Sequence, residues 1–351
     1  MYKNILITGG AGFIGSNIAV YLKKIYPKAN LIALDNLMRR GSELNIRRLK
    51  SAGVSFLHGD IRCKEDLAIG REIDLIIECS AEPSVLADIT ISPEYVINTN
   101  LIGTINCLEL ARKERADFIF MSTSRVYPYE AIAGLKTKEA KTRLVWRDNQ
   151  KCVGFSGKGI DTDFSLQGPK SLYGATKLSC ELLITEYIKN YRIKGIINRC
   201  GVIAGPWQFG KVDQGVFSLW MKHHYFKRPL SYIGWGGKGK QVRDLLHIDD
   251  LCELLSLQIG NMSNGNGKVY NVGGGEKVSL SLLETTLLCQ EITGNKLKIN
   301  SRRENRPFDL PVYITDNSKI SRDYHWAPKR SKEKIMEDIY EWLKQTGEDW
   351  V

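Results

Sequence analysis

The sequence contains no apolar run near the roughly 18 residues that a membrane span requires, no Cys-x-x-Cys pair, no internal repeat and no low-complexity linker. No spanning helix and no metal site are therefore expected. The first apolar stretch opens a strand and not a leader peptide, so a cytoplasmic protein is expected. The eight cysteines, at 63, 79, 107, 152, 180, 200, 252 and 289, stand mostly in apolar contexts and read as buried thiols of a reducing compartment. Acids are the scarcer charge: 39 Asp and Glu against 50 Lys and Arg leave a formal net charge of +11. The bases are spread along the chain, which points to anionic small molecules and not to nucleic acid. A chain of 351 residues can bury a large core in one or two domains.

What is present begins with Tyr173 and Lys177, in Ser171-Leu-Tyr-Gly-Ala-Thr-Lys177. A phenol is a poor base at neutral pH, with an unperturbed pKa near 10. An ammonium group one helical turn away favours the phenolate. Such a base suits an enzyme that removes a hydroxyl proton while hydride leaves the same carbon. Any amphipathic helix can carry Tyr-x-x-x-Lys by chance, so the pair gains meaning only beside a hydride acceptor.

The N-terminus supplies that site. Lys3–Thr8 reads as a buried strand, Gly9-Gly-Ala-Gly12-Phe13-Ile14-Gly15 follows, and a helix is expected from about Gly12 to Tyr26. The three glycines allow a tight turn, close approach to a pyrophosphate and close packing of helix on strand. The helix N-terminus favours phosphate. The next strand, Leu31–Asp35, ends in an acid 20 residues beyond Gly15, suited to ribose hydroxyls. Asp35 argues for NAD by repelling a 2′-phosphate, while Arg39 and Arg40 leave NADP open.

Further buried strands are expected at Val54–His58, Leu75–Cys79, Phe118–Ser122 and Gly195–Cys200, with helices at about Val96–Glu114 and Tyr173–Tyr191. This alternation predicts an α/β fold, a Rossmann-type doubly wound parallel sheet. Gly9, Asp35, Ser80-Ala81 and Ser122-Thr123-Ser124 should line one crevice at the carboxyl ends of the strands. Residues 1–200 are expected to form the dinucleotide-binding domain. Strands at Val242–His247 and Val269–Val272, with a helix near Asp249–Ile259 between them, should return to its sheet. Residues 201–351 should form mainly a smaller, partly discontinuous α/β substrate domain, with helices near Ser281–Thr293 and Ser331–Gln345.

With the glycine loop, Thr123 at a strand end and Tyr173-x-x-x-Lys177, the chain resembles the extended short-chain dehydrogenase/reductase family over essentially its whole length. The resemblance implies NAD as cofactor, with Gly9, Gly12, Phe13, Ile14, Gly15, Asp35 and Asn36 in its site. It implies an adenine contact at Asp60-Ile61, and Ser80, Ala81, Asn100, Ser122 and Cys200 elsewhere along the cofactor. It makes Thr123, Tyr173 and Lys177 the catalytic set, with Lys177 also bonding the nicotinamide ribose. The family's 4,6-dehydratases carry an Asp-Glu pair after the catalytic threonine; Ser124 and Arg125 stand there, so elimination is not expected. Arg243 and Arg306, with Asp309 following, match positions where arginines clamp a nucleotide sugar's diphosphate.

The finer likeness is to the family's 2-epimerases of CDP-paratose. It is carried by Asp35–Gly41, His58–Arg62 and Gln208-Phe-Gly-Lys211-Val-Asp213-Gln214-Gly215, with Gly239-Lys-Gln-Val-Arg243 beyond it. Val202 replaces an asparagine common in relatives. The 46-residue separation of Tyr127 from Tyr173 contains a polar stretch, Lys136–Lys158, read as a lid or rim over the sugar. The implied partner is a nucleotide-diphosphate sugar, in a homodimer or higher homo-oligomer, with neither nucleic acid nor membrane. A UDP-hexose 4-epimerase, a net NAD(P)-dependent oxidoreductase and a non-catalytic dinucleotide-binding protein remain as alternatives.

Overall fold

The computed structural model describes residues 2–148, 150–211 and 214–347. They form two compact units. The first takes the chain up to Val126, then Leu172–Arg199 and Leu251–Tyr270; the second takes Tyr127–Ser171, Cys200–Asp250 and the chain from Asn271 onward.

In the first unit β1 (Asn4–Thr8), β2 (Asn30–Asp35), β3 (Ser55–His58), β4 (Leu75–Glu78) and β5 (Asp117–Thr123) pair in parallel in the order β3-β2-β1-β4-β5. Gly195–Cys200 and Lys268–Val272 complete a seven-stranded sheet beyond β5. Strand order reverses at the β1–β4 boundary. Right-handed crossovers on either side of such a point place helices on opposite faces, giving the doubly wound Rossmann arrangement. The strands are apolar along their length because both faces are covered: Ile5, Leu6, Ile7, Leu75, Ile76 and Ile77 are all buried. One cluster joins Leu6, Ile32, Ile76, Phe118 and Phe120 to Cys107, Leu108, Cys180 and Ile184 from the covering helices.

The expected helix Val96–Glu114 is interrupted. Pro93–Ile97 is α-helical, Asn98–Ile102 forms a π turn, and Gly103–Glu114 resumes the α-helix. The wider turn carries Asn100, fully buried, whose side chain is committed to neighbouring loops. π turns of this kind are frequent beside functional sites.

The second unit holds its own sheet, in the order Val202–Ala204, Val242–His247, Ser279–Ser281, with Val312–Tyr313 also on Val242–His247. Val242–His247 therefore does not return to the Rossmann sheet as expected; only Lys268–Val272 does. Its edges are taken by a parallel partner in Val202–Ala204, an antiparallel one in Ser279–Ser281 and a parallel one in Val312–Tyr313. The core packs Phe217, Trp220 and Met221 against Ile335, Ile339 and Trp342.

Tyr127–Ser171, inside the span expected for the dinucleotide domain, belongs to the second unit. The polar stretch there holds two hairpins, Thr137–Glu139 with Leu144–Trp146 and Phe155–Ser156 with Gly159–Ile160. Leu144 and Trp146 pack on Val242, Val312 and Ile314. Arg143 pairs with Glu284, which also receives the Thr142 hydroxyl. Ile160 N–H donates to Ile314 O at 2.9 Å. Among the described residues no helix is long and apolar enough to cross a membrane, and the eight cysteines are free, five of them buried.

Candidate active site

The glycine loop is shaped by contacts that leave no room for side chains. Gly9 has φ +61, and a Cβ there would lie 2.9 Å from the Cys79 carbonyl and from Ser80 N. A Cβ on Gly15 would meet Gly9 O at 2.3 Å. The helix Phe13–Ile25 thus starts directly against the loop, with Gly12 as its N-cap and no side-chain cap. Its first-turn N–H groups therefore have no side-chain acceptor at the N-cap, an arrangement suited to anionic oxygens. Phe13 and Ile14, in that turn, are half-buried.

Asp35, at the end of β2, is 8% exposed. Its carboxylate accepts from Ala11 N at 3.0 Å and Leu37 N at 2.8 Å, so one side of it braces the loop. Burial pushes its pKa up from the ordinary value, and those N–H groups pull it partly back. Asn36 donates to Asp60 at 2.9 Å, and Arg62 grips the same carboxylate at 2.6–3.0 Å. Burial would raise the Asp60 pKa, but Arg62 and Asn36 hold it at about 2. Ile61 is buried, 4% exposed, against Gly103. Asp35, Asn36, Asp60 and Ile61 are thus gathered at the ends of β2 and β3.

At the exit of β4, Asn100 clamps the following loop: its amide oxygen accepts from Glu82 N at 2.8 Å and its nitrogen donates to Glu82 O at 3.1 Å. The same nitrogen reaches Thr176 Oγ1 at 3.3 Å, and Thr176 donates to Tyr173 O at 2.9 Å. Ser80-Ala81 is held between Gly9 and this clamp. The helix Leu172–Tyr191 packs on β5 and on the Ser124–Val126 turn. It buries Tyr173 to 9% and Lys177 to 1% exposure in its first turns. Thr123, at the end of β5, is 7% exposed and accepts from Arg125 N at 3.2 Å. Ser122 is turned the other way: its hydroxyl donates to Glu181, which also takes Arg199 at 2.7–3.1 Å. Any contact of Ser122 with a cofactor is left to its backbone.

Lys177 Nζ lies 3.7 Å from Glu78 Oε2, an ion pair with both side chains at most 1% exposed. Burial works against the ammonium charge, but Glu78 and then Tyr173 outweigh it, so the Lys177 pKa lies above the ordinary lysine value. Glu78 was missed in sequence because an acid at the end of an apolar strand looks like a strand terminus. Its one visible signal is the break in Leu75-Ile-Ile-Glu78, the last residue of an otherwise apolar buried strand.

In the second unit Arg243 donates to Asp309 at 2.7 Å, and Asp309 also accepts Trp235 Nε1 at 3.1 Å. Asp309 N donates to Arg306 O at 3.3 Å, which places Arg306 one turn before it. Gln208 is occupied within the fold, donating to Ile203 O at 3.0 Å and accepting from Ser218 Oγ at 2.6 Å. Lys211 and Gln214 exchange backbone hydrogen bonds at 2.7 and 3.1 Å around a turn. Asp213 lies outside the described residues. Val202 is half-buried in its strand, and Cys200 is buried at the end of the preceding one.

Residues 5–273 match the profile of the NAD dependent epimerase/dehydratase family. The chain belongs to that family. It is 30% identical to a CDP-paratose 2-epimerase of Salmonella typhi over 96% of this chain and 98% of the relative. It is 27% identical to a dTDP-glucose 4,6-dehydratase of Salmonella typhimurium over 99% of this chain and 94% of that one. A solved UDP-glucuronic acid 4-epimerase of Bacillus cereus, in complex with UDP-glucuronic acid and NAD, superposes with a TM-score of 0.80 at 26% identity, covering 98% of this chain and 100% of that one. The chain is therefore an enzyme of the NAD-dependent nucleotide-sugar epimerase/dehydratase family, and NAD is its cofactor. The loop fits that cofactor: positive φ at Gly9, no space for a Cβ at Gly9 or Gly15, and an uncapped helix start are what a bound pyrophosphate requires.

Proposed function

We propose that this family member is an epimerase acting at C2 of a CDP-sugar, of the CDP-paratose to CDP-tyvelose type. The observation that carries the reading is the buried Tyr173–Lys177 pair on a helix packed against the end of β5, followed by Ser124 and Arg125 and no carboxyl group. That supports proton transfer at a hydroxyl without elimination chemistry. The choice of C2 and of CDP is supported by the likeness to CDP-paratose 2-epimerase over nearly the full length of both chains.

In this reading Gly9, Gly12, Phe13, Ile14 and Gly15 hold the pyrophosphate, Asp35 and Asn36 the adenosine ribose, and Asp60-Ile61 the adenine. Ser80, Ala81, Asn100, Ser122 and Cys200 border the rest. Bound NAD supplies a hydride acceptor that returns what it takes, so the net reaction is redox-neutral. Tyr173 removes the C2 hydroxyl proton and later gives it back, acting once as base and once as acid. Lys177 lowers the proton affinity of that phenol by its charge and helps to hold the cofactor. Thr123 donates a hydrogen bond to the sugar oxygen as it becomes a carbonyl. Arg243 and Arg306 clamp the diphosphate, with Asp309 orienting Arg243. Ser124, Arg125, Val202, Gln208, Lys211 and Gln214 belong to the substrate side, Gln208 as a brace.

The test is incubation with CDP-, UDP- and GDP-sugars in deuterated water, with products read by NMR. A C2-inverted CDP-sugar without deuterium at C2 is expected. Inversion at C4 of a UDP-sugar would replace this reading with the second one, a UDP-hexose 4-epimerase, which the structural likeness to the Bacillus cereus enzyme favours. Solvent deuterium at C2 would defeat direct hydride return.

The enzyme is also proposed to act as a homo-oligomer in a reducing compartment. Leu182 (65% exposed), Ile102 (39%) and Ile97 (36%) leave apolar surface on the helices beside Tyr173, and all eight thiols are free.

A further inference from the structure

The slot around Lys177 is hostile to a charge. Nζ sits 3.8 Å from the centroid of the Phe120 ring, and the side chain is 1% exposed. A ring face attracts a cation, but a lysine buried among apolar groups otherwise sheds its proton. Titratable groups face it from three directions: Glu78 and Cys79 on and just after β4, Cys107 on the helix Gly103–Glu114, and Tyr173 and Cys180 on its own helix. Burial raises both buried thiols, Cys107 well above the ordinary value and Cys180 to about 11, so they stay neutral over the working range. Glu78 is the carboxylate that opposes the desolvation of Lys177.

Glu78 is itself poorly provided for. Its Oε2 forms an ion pair with the Lys177 ammonium at 3.7 Å and has Thr104 Oγ1 at 3.4 Å, a hydroxyl whose shorter bond, at 2.7 Å, goes to Asn100 O. Its Oε1 is buried and has no hydrogen-bond partner among the described residues. Burial pushes its pKa above the ordinary value, with Lys177 first, then Thr104 and the Ser80 N–H, pulling the other way. Each charge of the pair survives in the interior through the other, so removing one leaves the second stranded.

We propose that Glu78 is a positioning residue that keeps Lys177 charged and fixed beneath Tyr173. The proposal rests on the reading of Lys177 given above. Without Glu78, desolvation governs the ammonium, its pKa falls into the assay range, and the phenol loses its electrostatic support as pH rises. The effect is thus specific to alkaline pH.

Two experiments on the full-length protein test it. Thermal melting of Glu78→Gln, Lys177→Met and the double variant should show strong coupling, with the double variant melting above Lys177→Met because the stranded carboxylate is gone. Additive losses would overturn the proposal. If Glu78→Gln does not fold alone, recovery of folding on adding Lys177→Met is the same result, and failure of the double variant to fold overturns it. With CDP-paratose as probe, Glu78→Gln should move the alkaline limb of kcat/KM down by about one pH unit or more, while its rate near pH 6 approaches that of the wild type. Glu78→Asp should fall between. A loss equal at every pH overturns the proposal in favour of a merely structural role. Turnover by Lys177→Met would instead defeat the reading of Lys177, leaving the melting result to judge the pair.

Discussion

On the proposed reading the two units hold a phosphorylated ligand by different means. In the first, the backbone does most of it: a positive φ at Gly9, a carbonyl 2.3 Å from where a Gly15 Cβ would be, and a helix start with no side-chain cap. In the second, side chains are proposed to do it: Arg243 pairs with Asp309, Asp309 accepts from Trp235, and Gln208 is spent on Ile203 and Ser218. A backbone site tolerates almost no substitution at its glycines and reads the part of the ligand that never varies. A side-chain site can be re-cut one residue at a time. Chemistry and cofactor are therefore expected to be rigid in this enzyme, and sugar choice adjustable.

Substitutions can break that contrast. The largest effect is expected for Tyr173→Phe, which removes the proposed proton acceptor on the rigid side. Turnover should fall by about 10²–10⁴-fold with bound NAD retained, as measured by initial rates and cofactor content. Gly15→Ala should come next, since its Cβ collides with main chain that cannot move aside. A destabilisation of about 1–3 kcal/mol and loss of NAD from the purified protein are expected; a loaded protein of unchanged melting temperature would contradict the backbone argument. Arg243→Gln should raise KM about tenfold or more by removing a charge-assisted contact, with NAD content unchanged. An equal fall in kcat would show that the two units are not separable in this way.

The smallest effect concerns Glu284, which caps the helix Leu282–Thr293 and anchors the Arg143 hairpin. Burial opposes its charge, but Arg143, Ser281 N–H and Thr142 hold its pKa at about 2, below the ordinary 4.5. A depressed carboxyl pKa contributes stability that is complete above the unfolded value and lost as pH falls from about 4.5 towards 2. Glu284→Gln should cost about 1 kcal/mol at neutral pH. It should also flatten the acid side of the melting curve in that window.

What could be read in advance follows the same division. The strand, glycine loop, helix and Asp35 were legible because each is dictated by local geometry. Asp35 itself proved to have a structural task, its two oxygens accepting from Ala11 N and Leu37 N. Val242–His247 was recognisable as a strand but not as a member of a different sheet, because an apolar run does not name its neighbours. The Lys136–Lys158 hairpins escaped notice because strands of two or three residues carry too little periodicity. Their apolar anchors, Leu144 and Trp146, are isolated in polar sequence. Glu78 stayed hidden for another reason: its meaning lies in a contact with a residue 99 positions away, and one sequence carries no trace of that pairing.

The π turn at Asn98–Ile102 has a mechanical consequence. An α-helix advances by about 100° per residue, so one residue added within a turn acts as a phase shifter between the two halves of the helix. Val96 before it and Thr104, Cys107, Leu108 and Ala111 after it each keep a buried face. Asn100 meanwhile turns its amide to Glu82 and Thr176, and its carbonyl accepts from Thr104 Oγ1 and Cys180 Sγ. Deleting one residue there would mend the helix and misaim the latch, exchanging a regular element for a loosened β4 exit.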